Sequence, residues 1–130
     1  MKLYKIHGSR DYFRIYKDSE LTFEVVPVVK IKKNNEARNS TDLSYFHVNY
    51  VKRNLNEKMR KEVLFLKKFF KSAKVYGAES YINGFSGYGA ECLIINYKSF
   101  EKTLKELLKV KGGERIILDP GKYYKNKNEV

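Results

Sequence analysis

Apolar and polar positions alternate through the first third of the chain. Residues 2–7, 12–16 and 21–32 are rich in tyrosine, valine and isoleucine, and turn-forming residues separate them at Gly8-Ser9 and Lys17-Asp18-Ser19. That spacing predicts three strands joined by tight turns. In the third, Thr22, Glu24 and Val26 share one face while Phe23, Val25 and Pro27 share the other, because side chains alternate. Pro27 lacks an N–H for the ladder and marks a bulge, an edge or the strand's end. Residues 34–39 are polar and predict a loop.

The period then changes. Asp42 or Ser44 is placed to cap a helix reaching about Arg53. A longer helix is predicted over about 56–73, with Met59, Val63, Leu66 and Phe70 at three- and four-residue spacing. Away from that stripe lie Arg60, Lys61, Lys67, Lys68, Lys71 and Lys74, a strongly basic face. Ser86, inside Gly84-Phe85-Ser86-Gly87, can cap a third helix through Ile95. Ser99 can cap a fourth over about 100–110, apolar at Phe100, Leu104, Leu107 and Leu108, with Glu101 and Lys105 at the favourable i, i+4 spacing. Gly112-Gly113 should end it, and 115–118 reads as a short strand before Asp119-Pro120. The expected architecture is α+β: a small antiparallel sheet over 1–33, a helical body of about four helices over 34–120, and a frayed, lysine- and asparagine-rich tail over 121–130.

Tyr76-Gly77-Ala78-Glu79 returns as Tyr88-Gly89-Ala90-Glu91. The two copies fall in different backbone contexts and too close together for a solenoid period, so they are not repeat units. Nor is this a phosphate-binding loop, because the strand–glycines–lysine–helix order is wrong. The glycines are expected to make a turn between two helices that presents Tyr76.

Charge adds a functional direction. A formal net charge of +12 favours a polyanionic partner, since neutralising phosphates releases counterions. A basic surface that only maintains solubility remains open. No apolar run approaches the roughly 18 residues of a spanning helix, and Met1 leads into no apolar signal segment, so a cytoplasmic protein without a membrane partner is expected. The single cysteine excludes an internal disulfide and fits a reducing compartment. Cys92 sits in an apolar run and reads as a buried thiol, and the two histidines lack zinc-ligand spacing.

Four sets of residues bear on chemistry. Gly8-Ser9 followed by Asp18 and Glu20 has the outline of a nucleotidyltransferase metal motif, but the alternation between them favours a hairpin. Glu24, inside an apolar strand, is costly to bury unless paired or metal-bound; a solvent-facing position is the alternative. Lys67 and Tyr76, with the basic helix and glycine turn, suggest a cation for phosphate and a ring for base stacking. His47, near Phe46 and Tyr50, is open to packing or function.

An ordered series of short motifs goes further: Phe23-Glu24-Val25-Val26-Pro27, Tyr45-Phe46-His47, Glu62 through Lys71, Val75-Tyr76-Gly77-Ala78-Glu79, Gly84-Phe85-Ser86-Gly87-Tyr88, Glu91, Tyr97-Lys98-Ser99-Phe100 and Leu118-Asp119-Pro120. Over about residues 20 to 120 the chain resembles the archaeal, class I CCA-adding enzymes (tRNA nucleotidyltransferases). The resemblance implies the end of the catalytic palm plus the helical central domain, related to the second domain of poly(A) polymerases and oligoadenylate synthetases. It implies that Glu24 matches the third metal-binding carboxylate, where the family has aspartate. His47, Lys67 and Tyr76 would hold CTP or ATP; independently of the resemblance, Arg60, Lys68, Lys71 and Lys74 on the basic helix face offer a phosphate track for RNA. The family's first two carboxylates and its tail domain have no match here, so the polypeptide alone is expected not to polymerise. Magnesium would bind only with a palm-bearing partner, on a second chain or through self-association. The resulting expectation is a nucleotide- and tRNA-binding part of a split CCA-adding enzyme; a non-catalytic, stand-alone RNA-binding module descended from it is the alternative.

Overall fold

A computed structural model describes residues 2–7, 10–18, 21–78 and 82–119. Three strands come first, β1 (Lys2–Ile6), β2 (Tyr12–Tyr16) and β3 (Thr22–Val25). Two 3-10 turns, Asn34–Glu36 and Ser40–Leu43, lead to α1 (Ser44–Asn54), α2 (Glu57–Ser72), α3 (Gly87–Tyr97) and α4 (Phe100–Leu107). This is the α+β order that the alternation and periodicity predict. The chain forms two compact units, Met1–Asn49 and Tyr50–Val130, whose boundary falls within α1.

In the first unit the strands pair antiparallel in the order β1-β2-β3. Register places Tyr4 opposite Arg14, and Arg14 opposite Glu24. One face therefore carries Leu3, Phe13, Ile15, Phe23 and Val25, and all but Ile15 are exposed. The β2–β3 turn closes through Lys17 N–H to Leu21 O (3.0 Å) and Leu21 N–H to the Asp18 carboxylate (2.8 Å). The Gly8-Ser9 turn, Ser19 and Glu20 lie outside the described residues.

The third strand is shorter than its apolar run, ending at Val25 rather than near Lys32. Pro27 has no donor, and the Val29 N–H is taken instead by Asp42 Oδ1 at 2.7 Å. Asp42 does not cap α1. It is a buried clasp whose Oδ2 accepts from Arg10 Nη2 (2.9 Å), Arg38 N–H (3.1 Å) and Asn39 N–H (3.2 Å). The donated backbone hydrogen bonds, Val29's foremost, and Arg10 hold its carboxyl below the usual carboxylate range. The predicted loop at 34–39 contains a 3-10 turn.

The second unit is built on α2 and α3. All four predicted apolar positions of α2 are buried, with Leu66 and Phe70 essentially inaccessible, against Ala90, Leu93, Ile94 and Ile95 of α3. Asn56 caps α2 by accepting the Met59 N–H at 2.9 Å. The helix ends with Lys74 in the left-handed region (φ 57°), Lys74 N–H on Lys71 O and Val75 N–H on Phe70 O, the two bonds of a Schellman motif. The chain then runs beside Phe85: Phe85 N–H reaches Val75 O (2.8 Å), Gly77 N–H reaches Phe85 O (2.9 Å), and the Phe85 ring stacks on Phe70 at 4.4 Å. Gly84 is required here, because a Cβ would lie 2.2 Å from Val75 O.

Ser86 caps α3 through the Gly89 N–H (2.9 Å), as predicted, and α3 continues to Tyr97. Ser99 caps α4, where Glu101 and Lys105 pair at 2.6 Å. Helix α4 stops at Leu107, three residues short of the predicted end and before Gly112-Gly113, so Leu108 is 85% exposed rather than on the packed face. Residues 115–118 form no strand: they have no ladder partner among the described residues, although Leu118 packs against the core. The tail over 121–130 lies outside the described residues.

Candidate functional site around Lys67, Tyr76 and Glu91

Periodicity puts Met59, Val63, Leu66 and Phe70 into the core and leaves two basic flanks on α2. Arg60, Lys67 and Lys71 follow one another at i, i+7 and i+11 along one flank; Lys61 and Lys68 lie on the side opposite the core. Lys67 is partly buried, and its Nζ donates to Glu91 Oε1 of α3 at 2.7 Å. Lys71 Nζ lies 5.2 Å from the centre of the Tyr76 ring, within cation–π range.

These groups converge on the first residue of α3. A Cβ on Gly87 would stand 3.0 Å from the Tyr76 hydroxyl and 3.7 Å from Lys67 Nζ. The missing side chain thus leaves room for a phenol and an ammonium at the helix start, where backbone N–H groups add partial positive charge. Two cations, a hydroxyl donor and a helix N-terminus suit an anionic ligand carrying a flat ring. Lys67 and Tyr76, predicted as a pair, are brought together. The motif series runs through Gly87 and Glu91 without giving either a role; Glu91 meets a lysine 24 positions earlier, a separation that no local spacing reports.

Other predicted residues stand elsewhere. His47 lies on α1 in the first unit, where burial lowers its imidazole pKa and favours the neutral ring. Arg60, Lys68, Lys71 and Lys74 are exposed. Cys92 is half-buried rather than buried; burial, with the Glu91 charge adding to it, leaves the thiol less acidic than usual although its hydrogen bond with Tyr88 opposes the shift, and burial likewise raises the Tyr88 phenol. Glu24 sits in the sheet, where its Oε1 accepts from Arg14 Nε at 2.9 Å and Nη2 at 2.5 Å. This cross-strand pair explains the carboxylate without a metal and raises the Arg14 pKa. Among the described residues no group of three or more His, Cys, Asp or Glu side chains is placed to hold a metal ion. A magnesium site does not fit these residues by themselves.

The family model described as the second domain of tRNA nucleotidyltransferase matches residues 61–130. The chain belongs to this family. Lys67, Tyr76, Gly87 and Glu91 all lie in the matched region. Relatives among the CCA-adding enzymes include that of Nanoarchaeum equitans, 42% identical over 126 residues, which are 97% of this chain and 31% of the relative. The enzyme of Sulfurisphaera tokodaii is 42% identical over 116 residues, 88% of this chain and 28% of the relative. That of Thermoplasma acidophilum is 40% identical over 103 residues, 79% of this chain and 46% of the relative. The chain therefore spans less than half the length of each. Its sheet and four helices suit the α+β second domain of a tRNA nucleotidyltransferase. No described helix is long and apolar enough to cross a membrane.

Proposed function

We propose that this chain is the nucleotide- and tRNA-binding part of a CCA-adding enzyme and works in the cytoplasm with a second chain that carries the catalytic palm. The observation that carries the nucleotide half of the reading is the meeting of Lys67 Nζ and the Tyr76 hydroxyl at Gly87. Lys67 would take a phosphate of CTP or ATP and Tyr76 would present its hydroxyl and ring; on the resemblance alone, His47 would also contact the nucleotide, as a neutral donor or acceptor. Arg60, Lys68, Lys71 and Lys74 would follow the RNA backbone. The relatives' name, CCA-adding enzyme, and the family's description as a tRNA nucleotidyltransferase domain support this substrate class.

Glu24 is the weakest member of the proposed set, since Arg14 already engages it. It serves as a metal ligand only if a palm-bearing partner brings further carboxylates and displaces the guanidinium. Magnesium, held that way, would stabilise the phosphoryl charge of nucleotide transfer. This chain's own residues would bind and orient the nucleotide. The Arg14–Glu24 pair, which occupies the matched carboxylate, favours the second reading, a stand-alone RNA-binding module without catalysis. Calorimetric titration with the four ribonucleoside triphosphates separates the two. Preference for CTP and ATP, weakened at least tenfold by Lys67→Ala and by Tyr76→Ala, supports the nucleotide site. RNA binding that collapses with salt, with no nucleotide preference, leaves the module.

A further inference from the structure

The side of α2 opposite the core is not a plain charged surface. Leu64 and Phe65 point away from the buried stripe and are 64% and 60% exposed. Lys61 precedes Phe65 by one turn, Lys68 follows it by nearly one, and Lys58 stands two turns before; all three are exposed and have no ion-pair partner among the described residues. The only acids on α2 are Glu57 at its start and Glu62, whose carboxylate accepts the Phe100 N–H at 2.8 Å. From Lys58 to Ser72 the outward strip therefore carries an aromatic ring between cations and no opposing charge.

We propose that this strip is a stacking platform for unpaired RNA, with a base on the Phe65 ring beside Leu64 and adjacent phosphates on Lys61 and Lys68. A flat ring accepts any base face, and flanking lysines neutralise the backbone; that combination binds single strands with little sequence preference. Lys61 and Lys68 stand about 10 Å apart along the helix axis, so both ammonium groups reach past the ring from opposite ends. A protein partner fits less well, because an apolar contact here would strip water from three lysines. A second copy fits less well still, because each chain carries a net charge of +12. The proposal rests on the RNA-binding part of the reading above and adds the base contact to it.

The test is fluorescence anisotropy with a short labelled oligoadenylate and a labelled RNA duplex of equal phosphate count. Phe65→Ala should weaken the oligoadenylate by roughly five- to a hundred-fold while leaving the duplex nearly unchanged. Phe65→Trp should keep or strengthen single-strand binding. Lys61→Gln should weaken both RNAs and lower the salt slope by about one. Because Phe65 is exposed, these variants should keep the parent's circular dichroism and melting temperature. Oligoadenylate binding that is intact in Phe65→Ala overturns the platform but not the RNA reading. No RNA binding by the parent overturns both. A concentration-dependent dimer abolished by Phe65→Ala assigns the strip to self-association and overturns the proposal.

Discussion

Asp42 and Glu91 are acids whose roles depend on what each faces. Asp42 accepts three backbone N–H groups and one guanidinium N–H, and its folded pKa is lowered. A depressed carboxyl pKa means that the folded state binds fewer protons than the unfolded one. The clasp's contribution is therefore complete above the unfolded value of about 3.9 and is lost as pH falls through the folded value. Asp42→Asn should lower the melting temperature of the first unit at neutral pH and flatten its decline below about pH 4. Thermal melts across that range check this; an unchanged acid limb would deny Asp42 the role. Glu91 occupies Lys67 in the free protein. In Glu91→Gln the ammonium is released and a repulsive charge removed, so tripolyphosphate should bind several-fold more tightly. Stability should fall by about 1 kcal/mol or less, as for a partly exposed pair. Calorimetric titration decides; weaker anion binding would mean that Glu91 positions Lys67 rather than competing for it.

At the scale of elements, the connection between α2 and α3 is the most constrained part of the second unit. Gly84 N–H bonds Gly77 O, and the glycine passes so close to Val75 O that no side chain fits. Gly84→Ala should cost roughly 2–4 kcal/mol, read from denaturant midpoints, because the obstructing atoms are backbone and cannot swing away. A loss under half a kcal/mol would contradict this geometry. What was legible in the sequence follows the same division. The α2 stripe and the Ser86 and Ser99 caps are local signals, and each stands where spacing puts it. The end of β3 was not legible because Val29 bonds a carboxylate 13 positions away, which no alternation encodes. The 115–118 segment has strand composition but no neighbour to pair with. In the site, Lys67 and Tyr76 could be singled out by residue type and resemblance; the resemblance also runs through Gly87 and Glu91, but what they do there is visible only once α3 folds back on α2.

For the whole molecule, the second unit has a closed core, but the first has an amphipathic sheet whose apolar face stays bare. Leu3, Phe13, Phe23 and Val25 are each at least 40% exposed on that face. A sheet normally buries such a face against another layer. The exposed sheet face supports the palm-bearing partner proposed above, which would cover it. The most direct test is to capture the tagged protein from its native lysate and assay the recovered material on tRNA lacking its 3′ end. The account predicts a stoichiometric partner chain and incorporation of CTP and ATP, reduced by Lys67→Ala and Tyr76→Ala. Recovery of RNA without a partner and without incorporation would contradict it.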